Sequence, residues 1–333
     1  IYRQMLKHLV RLAQGWVFER KPLPPALLHL LERRAVAELV SVNAAIRRDP
    51  NTTASALAGF LQKADGIGLS LQGPPGTGKT TVTGELIAQL VAAGQRVAVS
   101  SNTNEAINNL LRKVQDCLDA RSSSALVVKV ASSSSEKADV KALAGSKAQA
   151  LQEKNLSSIP AVLGGTIFTF VKEAYDETPF DLLVIDEAGQ VSLSNLLYMS
   201  RIARNILLVG DQQQLSQPTK ADHPGESGKS CLEYLIRGAN VVPKDKGIFL
   251  NTSWRMEPSL TNIVSELFYD QKLIACPSNK INSIKWGKPL SSKSGDSYPD
   301  KGIIFKKIEH YGCSVKSFEE INLIEQIIDS LLG

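Results

Sequence analysis

The sequence predicts an α/β fold in which a parallel sheet is covered by helices on both faces. Three observations carry that expectation. From Gly66 to Leu250, short apolar runs alternate with helical segments, the pattern of parallel strands joined by crossover helices. One run leads into a glycine-rich turn that opens a helix, and another ends in two adjacent carboxylates. Both features then lie at the C-terminal edge of the strands, where open α/β sheets bind ligands.

Residues 1–48 carry apolar side chains at helical spacing, as in Met5, Leu6, Leu9, Val10 and Leu12. Pro22, Pro24 and Pro25 interrupt the pattern before a second helix expected from Leu27 to Ile46. Residues 1–54 thus read as a helical stalk or linker from an upstream domain. Within it, Glu19-Arg20-Lys21 resembles part of a nuclease metal motif, but no acidic residue precedes it to complete the metal site. Residues 55–277 form the α/β domain, with strands expected at Ser70–Leu71, Arg96–Ser100, Leu126–Val130, Leu182–Ile185, Asn205–Val209 and Ile248–Leu250. The Ser-, Ala- and Lys-rich stretch Ser132–Ser158 reads as an inserted surface helix with flexible ends. Residues 278–301 read as a linker. A new strand over Ile303–Ile308 and a helix over Phe318–Leu332 would start a second domain at 302–333, too short to bury a core alone.

Composition narrows the function classes. Forty-three per cent apolar and 21% charged residues, with no apolar run near the length of a bilayer span, argue against a membrane protein. Cys117, Cys231, Cys276 and Cys313 are widely spaced without a C-x-x-C pair, which suggests neither a zinc site nor a disulfide framework and fits a reducing cytoplasm. The chain starts without Met or a leader, as an interior point of a longer protein would. The net charge of +5 is uneven: residues 1–50 hold nine Lys/Arg against four Asp/Glu, and residues 271–307 hold eight against two. Such regions attract phosphate backbones or are solvated surface.

The strongest chemical signal is Gly73-Pro74-Pro75-Gly76-Thr77-Gly78-Lys79-Thr80, followed by Thr81, between an apolar strand and a helix. Glycines let backbone N–H groups approach phosphate oxygens, and the helix N-terminus adds positive potential. Lys79 reaches the β- and γ-phosphates of ATP, and Thr80 offers a hydroxyl to magnesium. Asp186 and Glu187 follow the strand Leu182–Ile185. Asp186 would hold magnesium through water, and Glu187 would orient or deprotonate the attacking water; alone, the pair could also cap the following helix. Gln214, in Gly210-Asp211-Gln212-Gln213-Gln214-Leu215, is the candidate γ-phosphate sensor, because an amide both accepts from water and donates to phosphate. The same segment could be a turn without that role. Arg255 suits γ-phosphate contact and Trp254 suits stacking on adenine, although an ion pair of Arg255 with Glu257 remains open.

In this order, G-P-P-G-T-G-K-T, D-E-A-G-Q, G-D-x-x-Q-L and an aromatic-Arg-Met motif resemble the Upf-like and Dna-type branch of superfamily-one helicases. Gln217-Pro218, His223-Pro224-Gly225, Ser230-Cys231-Leu232-Glu233 and Gly164-Gly165-Thr166 resemble the bacterial group fused to a RecB-like nuclease. The resemblance covers roughly residues 55–333. It implies a RecA-like P-loop NTPase fold, magnesium-dependent ATP hydrolysis in a cleft between two such domains, and 5′ to 3′ movement on a single strand, probed first as DNA with RNA as the alternative. It also implies strand contacts by Thr103, Asn104 and Thr166, the first two of which read equally as helix caps. Ser253 stands where Gln is frequent in the family and Asn108 where Asp is frequent. The Gln-Gly pair and Ser-Arg-Ala finger of the second motor domain, and the nuclease, have no match in this chain. A nucleotide-gated binding module with little turnover is therefore the rival reading, and an ATPase acting on protein is another.

Overall fold

The computed structural model describes residues 2–132, 134–152, 158–170, 175, 180–215, 224–281, 283 and 301–332. Contacts divide the chain into two units, Ile1–Leu250 and Asn251–Gly333.

The first unit is built on eight strands: β1 (Gly68–Gln72), β2 (Val97–Ser100), β3 (Val127–Val130), β4 (Gln149–Leu151), β5 (Val162–Gly164), β6 (Phe180–Ile185), β7 (Ala203–Gly210) and β8 (Gly247–Phe249). Their order is β4-β3-β5-β2-β6-β7-β1-β8, and every neighbouring pair is parallel. The helices are α1 (Tyr2–Val17), α2 (Pro25–Leu31), α3 (Ala37–Arg48), α4 (Thr53–Leu61), α5 (Lys79–Ala92), α6 (Asn104–Asp119), α7 (Glu136–Ala142), α8 (Ile167–Phe170), α9 (Leu193–Met199) and α10 (Cys231–Ile236). Strand side chains alternate between two buried cores. Leu182 and Val184 of β6 join one core with α3 to α6, while Phe180, Leu183 and Ile185 join the other with α2, α9 and α10. Burial on both faces is why these strands read as continuous apolar runs.

The expected helix from Leu27 to Ile46 is two helices. Leu27 and Leu30 of α2 lie in one core, whereas Leu39 and Ile46 of α3 lie in the other, on the opposite face of the sheet. One straight helix presents a single apolar stripe to one layer, so the chain must break to serve both. It does so at residues 32–36, where Arg33 is left-handed at φ 53 and Val36 N donates to Asp245 O at 2.8 Å. Asn43 Nδ2 then donates to Gly247 O at 2.9 Å, fixing α3 beside β8. Of the expected stalk over 1–54, residues 23–48 are thus part of the sheet's covering layers.

The Ser-rich stretch differs from a lone surface helix. It contains α7, and it adds β4 as an edge strand beside β3; residues 153–157 lie outside the described residues. A buried ion pair anchors it. Lys129 and Asp139 are each 1% exposed, with Lys129 Nζ 3.6 Å from Asp139 Oδ2 and 2.9 Å from the Val130 carbonyl it donates to. Burial holds the Lys129 ammonium below its ordinary range, with Asp139 opposing that shift. Asn108 Nδ2 donates to Asp139 Oδ1 at 2.9 Å, a bond that the Asp frequent at this position in the family could not donate. Removing one partner of a buried pair strands the other charge. Asp139→Ala is expected to destabilise the protein by about 3–5 kcal/mol, read as a lower urea midpoint.

The second unit holds β9 (Thr252–Ser253) paired in parallel with β10 (Ile274–Ala275), α11 (Pro258–Phe268) and α12 (Phe318–Leu332). The division at 250 precedes the expected boundary at 277, because the segment after β8 forms its own ladder. The helix expected over Phe318–Leu332 is present, but the strand expected over Ile303–Ile308 is not formed. A strand is defined by a paired neighbour, and among the described residues none pairs with this segment. Most of the expected linker, 284–300, lies outside the described residues.

Candidate nucleotide site

The loop from β1 to α5 is shaped by backbone that only glycine adopts without strain. Gly76 and Gly78 are left-handed, at φ 78 and 81. Gly73 permits a close approach, since a Cβ there would lie 2.5 Å from Lys79 Cγ and 2.6 Å from Thr77 Oγ1. Thr77 Oγ1 donates to Pro74 O at 2.7 Å, and Lys79 Nζ donates to Gly73 O at 2.6 Å, parking the ammonium on its own loop. Helix α5 begins at Lys79 with Gly78 as its cap and no capping side chain. Its first-turn N–H groups are therefore free of a side-chain acceptor, an arrangement that receives phosphate.

At the end of β6, Asp186 is buried and Glu187 is half-buried, held left-handed at φ 52. Burial, reinforced by the Glu187 charge, pushes the Asp186 carboxyl up to about 6, while the Glu187 N–H donated to Asp186 Oδ1 at 3.0 Å and the Lys79 charge pull the other way. A carboxyl raised in the folded state favours folding in its protonated form. This carboxyl should therefore contribute stability that grows as pH falls from about 6 toward the ordinary carboxylate value, while buried His29, held below its ordinary value, acts the other way. The difference in Tm between wild type and Asp186→Asn should change with pH across that window, and a pH-independent difference in differential scanning calorimetry would count against a buried, elevated carboxyl.

The same turn is locked against the end of β7. Ala188 N donates to Val209 O at 2.8 Å, and a Cβ on Gly189 would lie 2.5 Å from the Asp211 carbonyl oxygen. Only glycine fits there. Below it, fully buried Gln72 donates to Gln212 Oε1 and Asn240 O, both at 2.9 Å, and accepts from Val242 N at 2.7 Å, tying β1 to the segment after β7.

A cleft brings Thr80, Asp186 and Glu187 together with Ser101, Asn102 and Thr103. Glu105, Ala106, Asn109 and Gln190 complete its lining. The oxygen-rich set of Thr80, Asp186 and the buried Ser101 hydroxyl, which has no hydrogen-bond partner among the described residues, fits magnesium, a hard cation held by few protein ligands, waters and phosphates. Thr103 and Asn104 are exposed, and Thr103 Oγ1 accepts from Ala106 N at 3.2 Å, so the capping reading of Thr103 holds. Sequence reasoning assigned no site role to Ser101, Asn102, Glu105, Asn109 or Gln190; their place in the motif loops was the available signal.

Other candidate residues stand outside this lining. Thr166 is half-buried before α8, its carbonyl accepting from Thr169 N at 2.9 Å. Gln214 is half-buried in the turn after β7, its N–H 3.4 Å from Asp211 O. Gln217, Pro218 and His223 lie outside the described residues. In the second unit, Trp254 and Arg255 are exposed. Fully buried Ser253 shapes their turn, its Oγ accepting from Arg255 N at 3.4 Å and Met256 N at 3.1 Å.

A family model described as an AAA domain matches residues 54–223, more than half of the chain. The DNA replication ATP-dependent helicase/nuclease dna2 of Schizosaccharomyces pombe is 27% identical over 232 residues, 68% of this chain and 16% of that protein. Its Saccharomyces cerevisiae namesake is 29% identical over 225 residues, 66% of this chain and 14% of that protein. DNA-binding protein SMUBP-2 of Rattus norvegicus is 26% identical over 324 residues, covering 82% of this chain and 32% of that protein. The chain thus spans a minor part of each relative's length. Among the described residues no helix is long and apolar enough to cross a membrane. The matched stretch opens at α4 and takes in both the phosphate loop and the carboxylate pair: the chain belongs to the AAA domain family.

Proposed function

We propose that the chain is the ATP-hydrolysing motor of a helicase that tracks along single-stranded DNA. The observation that carries this reading is one cleft whose lining includes Thr80, Asp186, Glu187 and Thr103, so that phosphate chemistry and a strand-contact loop meet there. From the phosphate loop that leads into Thr80, the N–H groups and Lys79 hold the β- and γ-phosphates, and Lys79 leaves the Gly73 carbonyl to do so. Thr80 and Asp186 would hold magnesium, which neutralises charge on the β- and γ-oxygens when bound. Glu187 orients the attacking water and accepts its proton. The family resemblance gives Gln214 and, in the second unit, Arg255 as the γ-phosphate contacts and Trp254 as the adenine-stacking residue. Thr103, Asn104 and Thr166 touch the strand through groups that carry no base preference. The relatives' names favour DNA over RNA.

Finer parts of the reading are 5′ to 3′ movement, a second motor domain and a nuclease elsewhere in the same protein, and a cytoplasmic site of action. The test is ATP turnover by the full-length protein with and without a single-stranded DNA oligonucleotide, and with an RNA of equal length. A strong rise with DNA supports the motor. An unchanged rate with either nucleic acid would overturn it in favour of a binding module or a protein remodeller.

A further inference from the structure

The turn that carries Glu187 is held from three sides. Two are main-chain contacts with the end of β7, the Ala188 N–H on Val209 O and the close approach of Gly189 to Asp211. The third is a side chain: Asn102 Nδ2 donates to Gln190 O at 2.5 Å. Gln190 N in turn donates to Glu187 O at 2.8 Å, so the Asn102 amide is one hydrogen bond and one short turn away from the catalytic carboxylate's backbone. The acceptor is a main-chain carbonyl, which fixes the amide nitrogen as the group that faces it.

Asn102 lies on the loop 101–103 between β2 and α6, immediately before Thr103, the α6 cap. Its other neighbour, Ser101, is 4% exposed and its hydroxyl has no partner among the described residues. A buried hydroxyl gains by finding a partner, so a small shift of this loop has a group to satisfy. Register adds the mechanical link, because Ser100 pairs with Ile185 and Asp186 N donates to Ser100 O at 2.8 Å, setting the loops after β2 and β6 side by side.

We propose that Asn102 is a positioning residue that transmits strand occupancy at Thr103 to Glu187 through the Gln190 main chain. The inference rests on the motor reading above. A strand seated on Thr103 displaces loop 101–103. The Asn102 amide carries the Gln190 carbonyl with it, and the left-handed Glu187 backbone turns its carboxylate toward the attacking water. Asn102 is placed to act through the Gln190 carbonyl rather than on the reacting atoms. The same amide also links nucleotide occupancy to strand affinity, and for these binding free energies the coupling is reciprocal.

The test uses full-length protein and Asn102→Asp, which keeps the side-chain shape but replaces the donor with an acceptor facing a carbonyl. Three quantities are measured: the ratio of DNA-stimulated to unstimulated turnover, strand Kd by fluorescence anisotropy, and that Kd with a non-hydrolysable ATP analogue. The stimulation ratio should fall at least about fivefold, the low end of ordinary site-to-site coupling. Strand Kd without nucleotide should stay within about twofold, a change under about 0.4 kcal/mol, and its response to the analogue should vanish. Asn102→Ala gives the same readout if the Asp variant loses its cooperative melting transition. Wild-type stimulation together with equal stimulation and equal analogue response in the variants would overturn the coupling alone. A wild-type protein that DNA does not stimulate would overturn the motor reading and this inference with it.

Discussion

Glu187→Gln is expected to lower DNA-stimulated ATP turnover by about 10²- to 10⁴-fold, the usual worth of a positioned general base. Nucleotide affinity should not fall with it. The substitution keeps the side-chain volume and leaves the φ 52 turn and the phosphate loop in place. It also removes the negative charge that helps push Asp186 up to about 6, so the neighbouring carboxyl ionises more readily and is better prepared for a cation. Hydrolysis and binding are thereby separated in one protein. Single-turnover hydrolysis alongside equilibrium binding of a fluorescent ATP analogue would show it. A variant that hydrolyses within about tenfold of wild type would place the base elsewhere.

Lys79→Ala should fail earlier, at binding. The ammonium is held 2.6 Å from the Gly73 carbonyl, half-buried at the entrance to α5. When triphosphate arrives, it exchanges that neutral acceptor for charged oxygens. Truncating one member of such a charge pair costs about 2–5 kcal/mol, or roughly 30- to several thousand-fold in Kd. The alanine variant loses in addition the hydrogen bond from Lys79 Nζ to Gly73 O that ties the loop to the start of α5. Isothermal titration with the ATP analogue measures the loss. Affinity within about threefold of wild type would mean that phosphate is held elsewhere.

Much of this was legible in the sequence where the physical cause is local. The phosphate loop, the carboxylate pair and the strands that deliver them are each written in fewer than ten consecutive residues, and all six strands expected in the α/β domain lie within two residues of those observed at both ends. What escaped depends on contacts between distant segments. Break points at 32–36 follow from α2 and α3 serving opposite faces of one sheet, which no local period records. Strand β4 is three residues with only partial burial, and its existence depends on pairing with β3 and on the Lys129–Asp139 anchor behind it. The requirement for glycine at 189 comes from a carbonyl in another loop. Asn102 likewise looks like any polar loop residue until its amide is seen on the Gln190 carbonyl.

Strand order also bears on biosynthesis. β1, which carries the phosphate loop, is hydrogen-bonded on one side to β7 and on the other to β8, with Gly68 opposite Ile206 and Ser70 opposite Gly247. Neither partner exists when β1 leaves the ribosome. At about 5–20 residues per second, roughly 10–35 s of translation separate the loop from its second neighbour. Both edges of this five-residue, fully buried strand stay open until β7 is made and one until β8 follows, the condition that recruits foreign strands. Nascent chains that end before β8 should therefore depend on chaperones to stay out of aggregates, and nucleotide cannot rescue them, because its cradle is not yet assembled.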